Sequence, residues 1–490
     1  MAPFRHFLAA LAPAVLLVAA SGQVTDPASV ARRASAAMKG RDFETAERLY
    51  SQLSRTFPDE PGLALNLGLA RYSSGKFDEA LVDLNRFLQA QPDHGPAWLI
   101  VGISHQKLDR PHEAVGPLQR AVDLNPGNRI ARLELADALL RSGRPVSALT
   151  EFRRLQQQDS SDPRVWLGLG LSYTELSSRA AEALERAAPS SAYHRLLLGH
   201  SALARQRYRA AFGHYRAAQA LDPEAPGTHD SVAEVYRQTG RADWASAELS
   251  KSRPRAPCEQ RRLECGFEAG DLDQVLLESE GRATPESLYW RARALAGKAR
   301  IAHERLMDLP PSSASYRLLA SIEDLAGRSA EAVRAWRQAI RLDPDDVALR
   351  RNLLRSLSAA GLQEESIGEA RALLQIRPES VAARFHAGRA MLELGRVDEA
   401  VPLLEGVAGL DARARVPLAT AYLRSGRGSE AIPLLEAALG DGEDERLLFQ
   451  LSRAYQSAGR TADARSALER RQRAMSARPR ASVSNEITPP

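Results

Sequence analysis

Apolar residues along this chain return with the period of a helix, not of a strand. In Gly327–Asp346, GRSAEAVRAWRQAIRLDPDD, the residues Ala332, Val333, Trp336, Ala339 and Ile340 fall three or four positions apart and share one helical face. A glycine precedes the segment and a proline follows its apolar run. Near-copies of this phrase recur. Its marker alanine stands at Ala46, Ala80, Ala114 and Ala148, each 34 positions after the last. The step of 34 also separates Ala211 from Ala245, and it runs through Ala332, Ser366 and Ala400. Ala431 and Ala464 follow at slightly shorter steps. Pro58, Pro92 and Pro126 keep the same beat, as do Pro344 and Pro378.

Each position in the period has a physical task. Two antiparallel helices approach closely only where side chains are small, which accounts for Gly or Ala at position 8 and Ala at position 20. Large residues at 4, 7, 11 and 24 fill the space on either side. Glycine near 15 ends the first helix in the left-handed conformation, and proline near 32 stops the second. Each helix pair leaves apolar surface that only its neighbour can cover, so the units must stack.

A 34-residue period with two amphipathic segments resembles the tetratricopeptide repeat, and the likeness covers about residues 27–475. The unit holding the opening phrase supplies Tyr316, Leu319, Ala320, Gly327, Ala332, Trp336, Ala339 and Pro344. The third unit supplies Trp98, Val101, Gly102, Ala114, Leu118, Ala121 and Pro126. It departs from the pattern at His105, where Tyr is usual, and at Asp109, where Gly is usual. The resemblance implies an all-α fold, an α-solenoid coiled as a right-handed superhelix of about fourteen helix pairs. The regular units span 27–162, 192–257 and 313–475. The unit at 163–191 is short, and 258–312 reads as degenerate helical pairs with trimmed turns, forming a bend or boundary. The expected organisation is a signal peptide at 1–22, an N-terminal array at 23–257, short repeats at 258–312, a C-terminal array at 313–475 and a disordered tail at 476–490.

The N-terminal expectation rests on other residues. In MAPFRHFLAALAPAVLLVAASGQ, Arg5 precedes an apolar run from Phe7 to Ala20, and small residues follow. That order reads as a secretory signal. The run is too short for a membrane span, which needs about twenty residues. Export would place the chain in the periplasm or outside the cell, with no span in the mature form. The net charge of +5 sets five lysines against about sixty arginines. That imbalance reads as codon bias more than as selection for a polyanion.

Candidate chemistry is sparse. The histidines show no metal-ligand spacing, and GLGLS at Gly168–Ser172 falls inside a first helix with Gly170 as its small residue. SSGKF at Ser73–Phe77 lacks phosphate-loop spacing. No catalytic, cofactor or metal residue is assigned, and no small-molecule substrate is expected. The only thiols, Cys258 and Cys265, would lie about 10 Å apart on one helix, too far to bridge. Pro254 and Pro257 could instead hold Cys258 off the helix and let a disulfide form.

The remaining candidates are on the surface. In the family that this chain resembles, first-helix positions 2, 5, 9 and 12 line a concave groove that takes extended peptides. Here the N-terminal units offer Leu65, Leu69, Tyr72, Leu99, Ile103, Leu133, Leu167, Leu171 and Leu196. The C-terminal units offer Arg317, Arg351, Arg355, Arg389, Arg413 and Arg453. Asn66 and Asn352 stand at position 6, which the family uses to hold a ligand backbone. Against these readings, the leucines could serve packing between units, and the arginines could be a solvated face. The implied function is a non-enzymatic protein-interaction scaffold of the cell envelope, with a protein or peptide partner. The alternative is a binder of an anionic polymer such as an acidic polysaccharide. Nucleic acid is disfavoured by the export signal.

Overall fold

The computed structural model describes residues 26–252, 256–344, 346–440, 442–477 and 487–490. The proposed signal peptide lies outside the described residues. Among the described residues there are twenty-six α-helices and no strand. The chain is an α-solenoid of tetratricopeptide-type helix pairs, and it divides into two compact units. The first holds the described residues up to Ala180 together with Gly270–Glu278 and Arg291–Leu306. The second holds Ala181–Ala269, Ser279–Trp290 and Met307–Pro490.

In the first unit, four regular pairs run in sequence: α1 (Pro27–Lys39) with α2 (Phe43–Thr56), α3 (Pro61–Ser73) with α4 (Phe77–Ala90), α5 (Gly95–Lys107) with α6 (Pro111–Leu124), and α7 (Arg129–Arg141) with α8 (Pro145–Gln158). The nesting predicted for positions 8 and 24 is visible in the second and third repeats. A Cβ added to Gly68 would lie 2.8 Å from Leu84, and one added to Gly102 would overlap Leu118. The turn at Asp109 takes the left-handed conformation, φ +57°, without a glycine. Asp42, His94 and Asn128 cap the starts of α2, α5 and α7 by accepting backbone N–H groups.

The fifth repeat departs from the expected short pair. Its residues form one 25-residue helix, α9 (Pro163–Ala187), with no second helix following in sequence. Residues 285–308 likewise form one 24-residue helix, α16 (Pro285–Asp308), where two trimmed helices were expected. Within the first unit, α16 packs on α9. A Cβ on Gly170, position 8 of the fifth repeat, would overlap the ring of His303, and Ser177 donates to the Ala292 carbonyl at 2.8 Å. His303 thus fills the place that position 24 fills elsewhere. On another side of α16, Leu272 of α15 (Leu272–Ser279) reaches Gly297, with 2.8 Å to an added Cβ, and Lys298 pairs with Asp273 at 2.5 Å. A distant segment completes the repeat that α9 leaves open.

The second unit holds α10 (Ala192–Ala204) with α11 (Tyr208–Leu221), α12 (Thr228–Gln238) with α13 (Ala242–Leu249), the short α14 (Arg262–Glu268), and five further pairs. These are α17 (Ser313–Leu325) and α18 (Ser329–Leu342), α19 (Val347–Ala359) and α20 (Gln363–Ile376), α21 (Val381–Glu393) and α22 (Val397–Ala408), α23 (Arg415–Arg424) and α24 (Gly428–Leu439), and α25 (Glu445–Ser457) and α26 (Thr461–Ala477). Trp336 is 1% exposed, and Gly388 leaves 2.7 Å between an added Cβ and Leu404. Cys258 and Cys265 are disulfide-bonded, with Cα atoms 5.8 Å apart. The single-helix distance does not apply, because Cys258 lies in a turn before α14 begins; Pro254 is outside the described residues. Of the tail, Ser476 and Ala477 end α26, residues 478–486 lie outside the described residues, and 487–490 are non-helical.

Candidate protein-interaction surface

Position 9 of α3, α5, α7 and α9 is held by Leu69, Ile103, Asp137 and Leu171, each half-buried. Leu65, Asn66 and Tyr72 are half-buried beside Leu69 on α3. Leu65 apart, the position-5 leucines behave otherwise. Leu99, Leu133 and Leu167 are 2%, 4% and 6% exposed, and Leu196 of the second unit is fully buried. These four serve the core, so the accessible surface is carried by positions 9 and 12, with Leu65 and Asn66 of α3 beside them. Leu65, Leu69 and Tyr72 also pack partly against the cluster of Leu84, Phe87 and Ile100.

This apolar strip holds a carboxylate that the sequence reading passed over. Glu134 stands at position 6 of α7, where Gln106 donates to its backbone carbonyl at 2.7 Å. Burial pushes its carboxyl up to about 7, Asp137 adds to the rise, and Arg164, Lys107 and Arg141 pull against it. The Tyr72 hydroxyl is also pushed well up, by burial first and then by the charge of Glu134. A half-buried carboxylate raised to about 7 therefore stands on α7, flanked in sequence by Leu133 and Leu135. Its position in the repeat was the available signal.

In the second unit, Arg317, Arg351, Asn352 and Arg389 are half-buried, while Arg355, Arg413 and Arg453 are exposed. Several already have carboxylate partners in the chain. Arg355 lies 3.2 Å from Asp324, Arg389 lies 3.3 Å from Glu393, and Arg413 lies 2.7 Å from Asp411. Asp324 also accepts from Ser356 at 2.7 Å and from the Trp336 indole at 3.1 Å, so Arg355 is tied into a fixed network. The cleft of about 370 Å³ lined by Arg337, Ile340, Leu353, Leu357 and Glu369 is a different place, on α18, α19 and α20. Among the described residues no cluster of His, Cys, Asp and Glu could hold a metal ion, and no helix is long and apolar enough to cross a membrane.

A tetratricopeptide repeat family model matches residues 32–95, 102–163, 164–226, 317–381, 365–415 and 416–477. The chain belongs to the tetratricopeptide repeat family. As a member it is a protein–protein interaction scaffold. The matched blocks flank residues 227–316, which contain α12 to α16. Similar solved structures include MamA from Desulfovibrio magneticus RS-1, with 23% identity over 34% of this chain and 93% of that one, at a TM-score of 0.30. A crystal structure of MamA protein has 18% identity over 35% of this chain and 96% of that one, at a TM-score of 0.31.

Proposed function

We propose that the chain is an exported scaffold of the cell envelope that binds an extended protein segment along the first-helix surface of its first unit. The observation carrying this reading is the half-buried row of Leu69, Ile103 and Leu171, with Tyr72 beside it and the carboxylates Glu134 and Asp137 within it. An extended segment with apolar residues and a basic residue matches that surface: burial of apolar area supplies most of the affinity, and the carboxylates select the charge. Export is supported by the order of residues at 1–22 and by the Cys258–Cys265 disulfide, a bond favoured in oxidising compartments. An anionic polymer is the weaker reading, because Arg355, Arg389 and Arg413 already face carboxylates of the chain.

The test uses the chain without residues 1–22 as bait in an envelope extract, at low and high salt, beside its Leu69→Asp and Ile103→Asp variants. A protein recovered by the parent chain and lost with both folded variants supports the assignment. Equal recovery by all three baits places binding elsewhere. Recovery of a polysaccharide that disappears as salt rises would favour the anionic polymer.

A further inference from the structure

The segment Ile487–Pro490 lies against the second unit. The Tyr236 hydroxyl donates to the backbone carbonyl of Thr488 at 2.7 Å, although the two residues are 252 positions apart. Ile487 is half-buried, while Thr488, Pro489 and Pro490 are exposed and the contact is made by the backbone.

The donor is held ready by its surroundings. Tyr236 of α12 is fully buried, and its hydroxyl oxygen accepts from Arg216 Nη2 at 3.0 Å. Arg216 of α11 is itself fixed by two bonds to Glu248 of α13, at 3.0 and 3.1 Å. Glu248 is fully buried and is also bonded by His229 at 2.8 Å and Gln219 at 3.1 Å. With Arg216 occupying the hydroxyl's acceptor side, its proton must point to a further acceptor, and a buried hydroxyl donor left without one is costly. Thr488 supplies that acceptor. Aromatic rings flank the tyrosine, with Trp244 edge-on at 5.6 Å between centroids and Phe212 at 5.7 Å.

The ligand chemistry fits such a donor. In Ile-Thr-Pro-Pro, each residue before a proline is driven to extended or polyproline II backbone. The two prolines carry no N–H, so the segment presents more backbone acceptors than donors. A fixed donor suits this kind of segment, because it enters binding already extended.

We infer that the place at the Tyr236 hydroxyl is a docking site for the backbone of an extended proline-containing segment, occupied in this protein by its own residues 487–490. This site lies on the second unit and uses repeat positions other than the proposed peptide row, so the two assignments stand or fall separately. Because it belongs to the same chain, the segment binds intramolecularly and holds an effective-concentration advantage over a free competitor. A partner with a similar segment must displace it.

The probe is a fluorescein-labelled peptide of residues 483–490, VSNEITPP, titrated by anisotropy into the full chain and into a variant shortened to end at Glu486. The shortened chain should bind the peptide at least tenfold more tightly than the full chain. Tyr236→Phe in the shortened chain should weaken binding at least threefold while leaving the melting curve cooperative. A peptide with Pro489→Gly and Pro490→Gly should bind at least tenfold more weakly, and this arm decides the matter if Tyr236→Phe does not fold. Equal peptide affinity for the full and shortened chains, no binding to the shortened chain, or indifference to the proline replacements would each overturn the inference.

Discussion

The hydroxyl of Tyr422 donates to the carboxylate of Glu405 at 2.7 Å, joining the second helix of one repeat to the first helix of the next. In the repeat numbering this is position 25 reaching position 11. The same pair of positions holds Glu436 and Tyr455 at 2.6 Å, Arg153 and Tyr173 at 2.9 Å, and Arg216 and Tyr236 at 3.0 Å. The tyrosine ring fills the interface while its tip meets a charged group, whose sign changes from repeat to repeat. Tyr422→Phe keeps the ring and removes the bond. It should cost ~1–3 kcal/mol, as expected for a hydrogen bond to a charged group, and urea melts of the variant would measure it.

The same contact predicts an alkaline limit. The Tyr422 and Tyr455 hydroxyls are pushed up to about 12, by burial first and then by the bond to a carboxylate. A group with a raised folded pKa contributes stability that is present below its unfolded value, near 10, and lost as pH rises through the folded value. Stability should therefore fall between about pH 10 and pH 12. Replacing both tyrosines with Phe should lower stability at neutral pH and flatten that alkaline slope in denaturant melts.

His386 sets a limit on the acid side. Its ring is buried and shares a 2.9 Å hydrogen bond with Ser358. Burial, followed by Arg389, Arg413 and Arg355, drives its pKa down to about 4, against a small opposing pull from Asp411. The folded state therefore holds His386 neutral. Its contribution is present above about pH 6.5 and lost as pH falls through 4. His386→Gln, which cannot protonate, should flatten the dependence of melting temperature on pH between 6.5 and 4.

Gln206 turns the chain between α10 and α11 at φ +57°, where Gly75 and Gly143 serve the corresponding turns. It is exposed. Relief of the left-handed penalty, partly offset by the entropy of a new glycine, should make Gln206→Gly stabilising by about 0.5–1 kcal/mol. Gly327→Ala, at φ +75°, should destabilise by a similar amount. Parallel thermal melts would compare the two.

The regular repeats were legible because their determinants are local. Gly102 and Leu118 lie sixteen positions apart and meet within one helix pair, so a period of 34 states their contact directly. The exposure of a groove residue depends instead on how closely neighbouring first helices approach. That is why Leu99 and Leu133 were read as surface candidates and lie in the core, while Leu69 and Ile103 remain accessible. Glu134 was unmarked because a glutamate in a helix looks solvated until its neighbours are placed. Least legible were Gly170 with His303, and Tyr236 with Thr488, since no spacing rule joins residues so far apart.

Of these contacts, Gly170 against His303 carries the most weight, because it requires a distant helix to complete the fifth repeat. A double-mutant cycle measures it directly. Gly170→Ala should destabilise the chain by at least ~2 kcal/mol in urea melts, since its methyl and the imidazole need the same space. Trimming the ring in His303→Ala should make room, so that the double variant is at least ~1 kcal/mol more stable than the two single losses added together. Strictly additive losses, or a Gly170→Ala variant as stable as the parent, would contradict this packing.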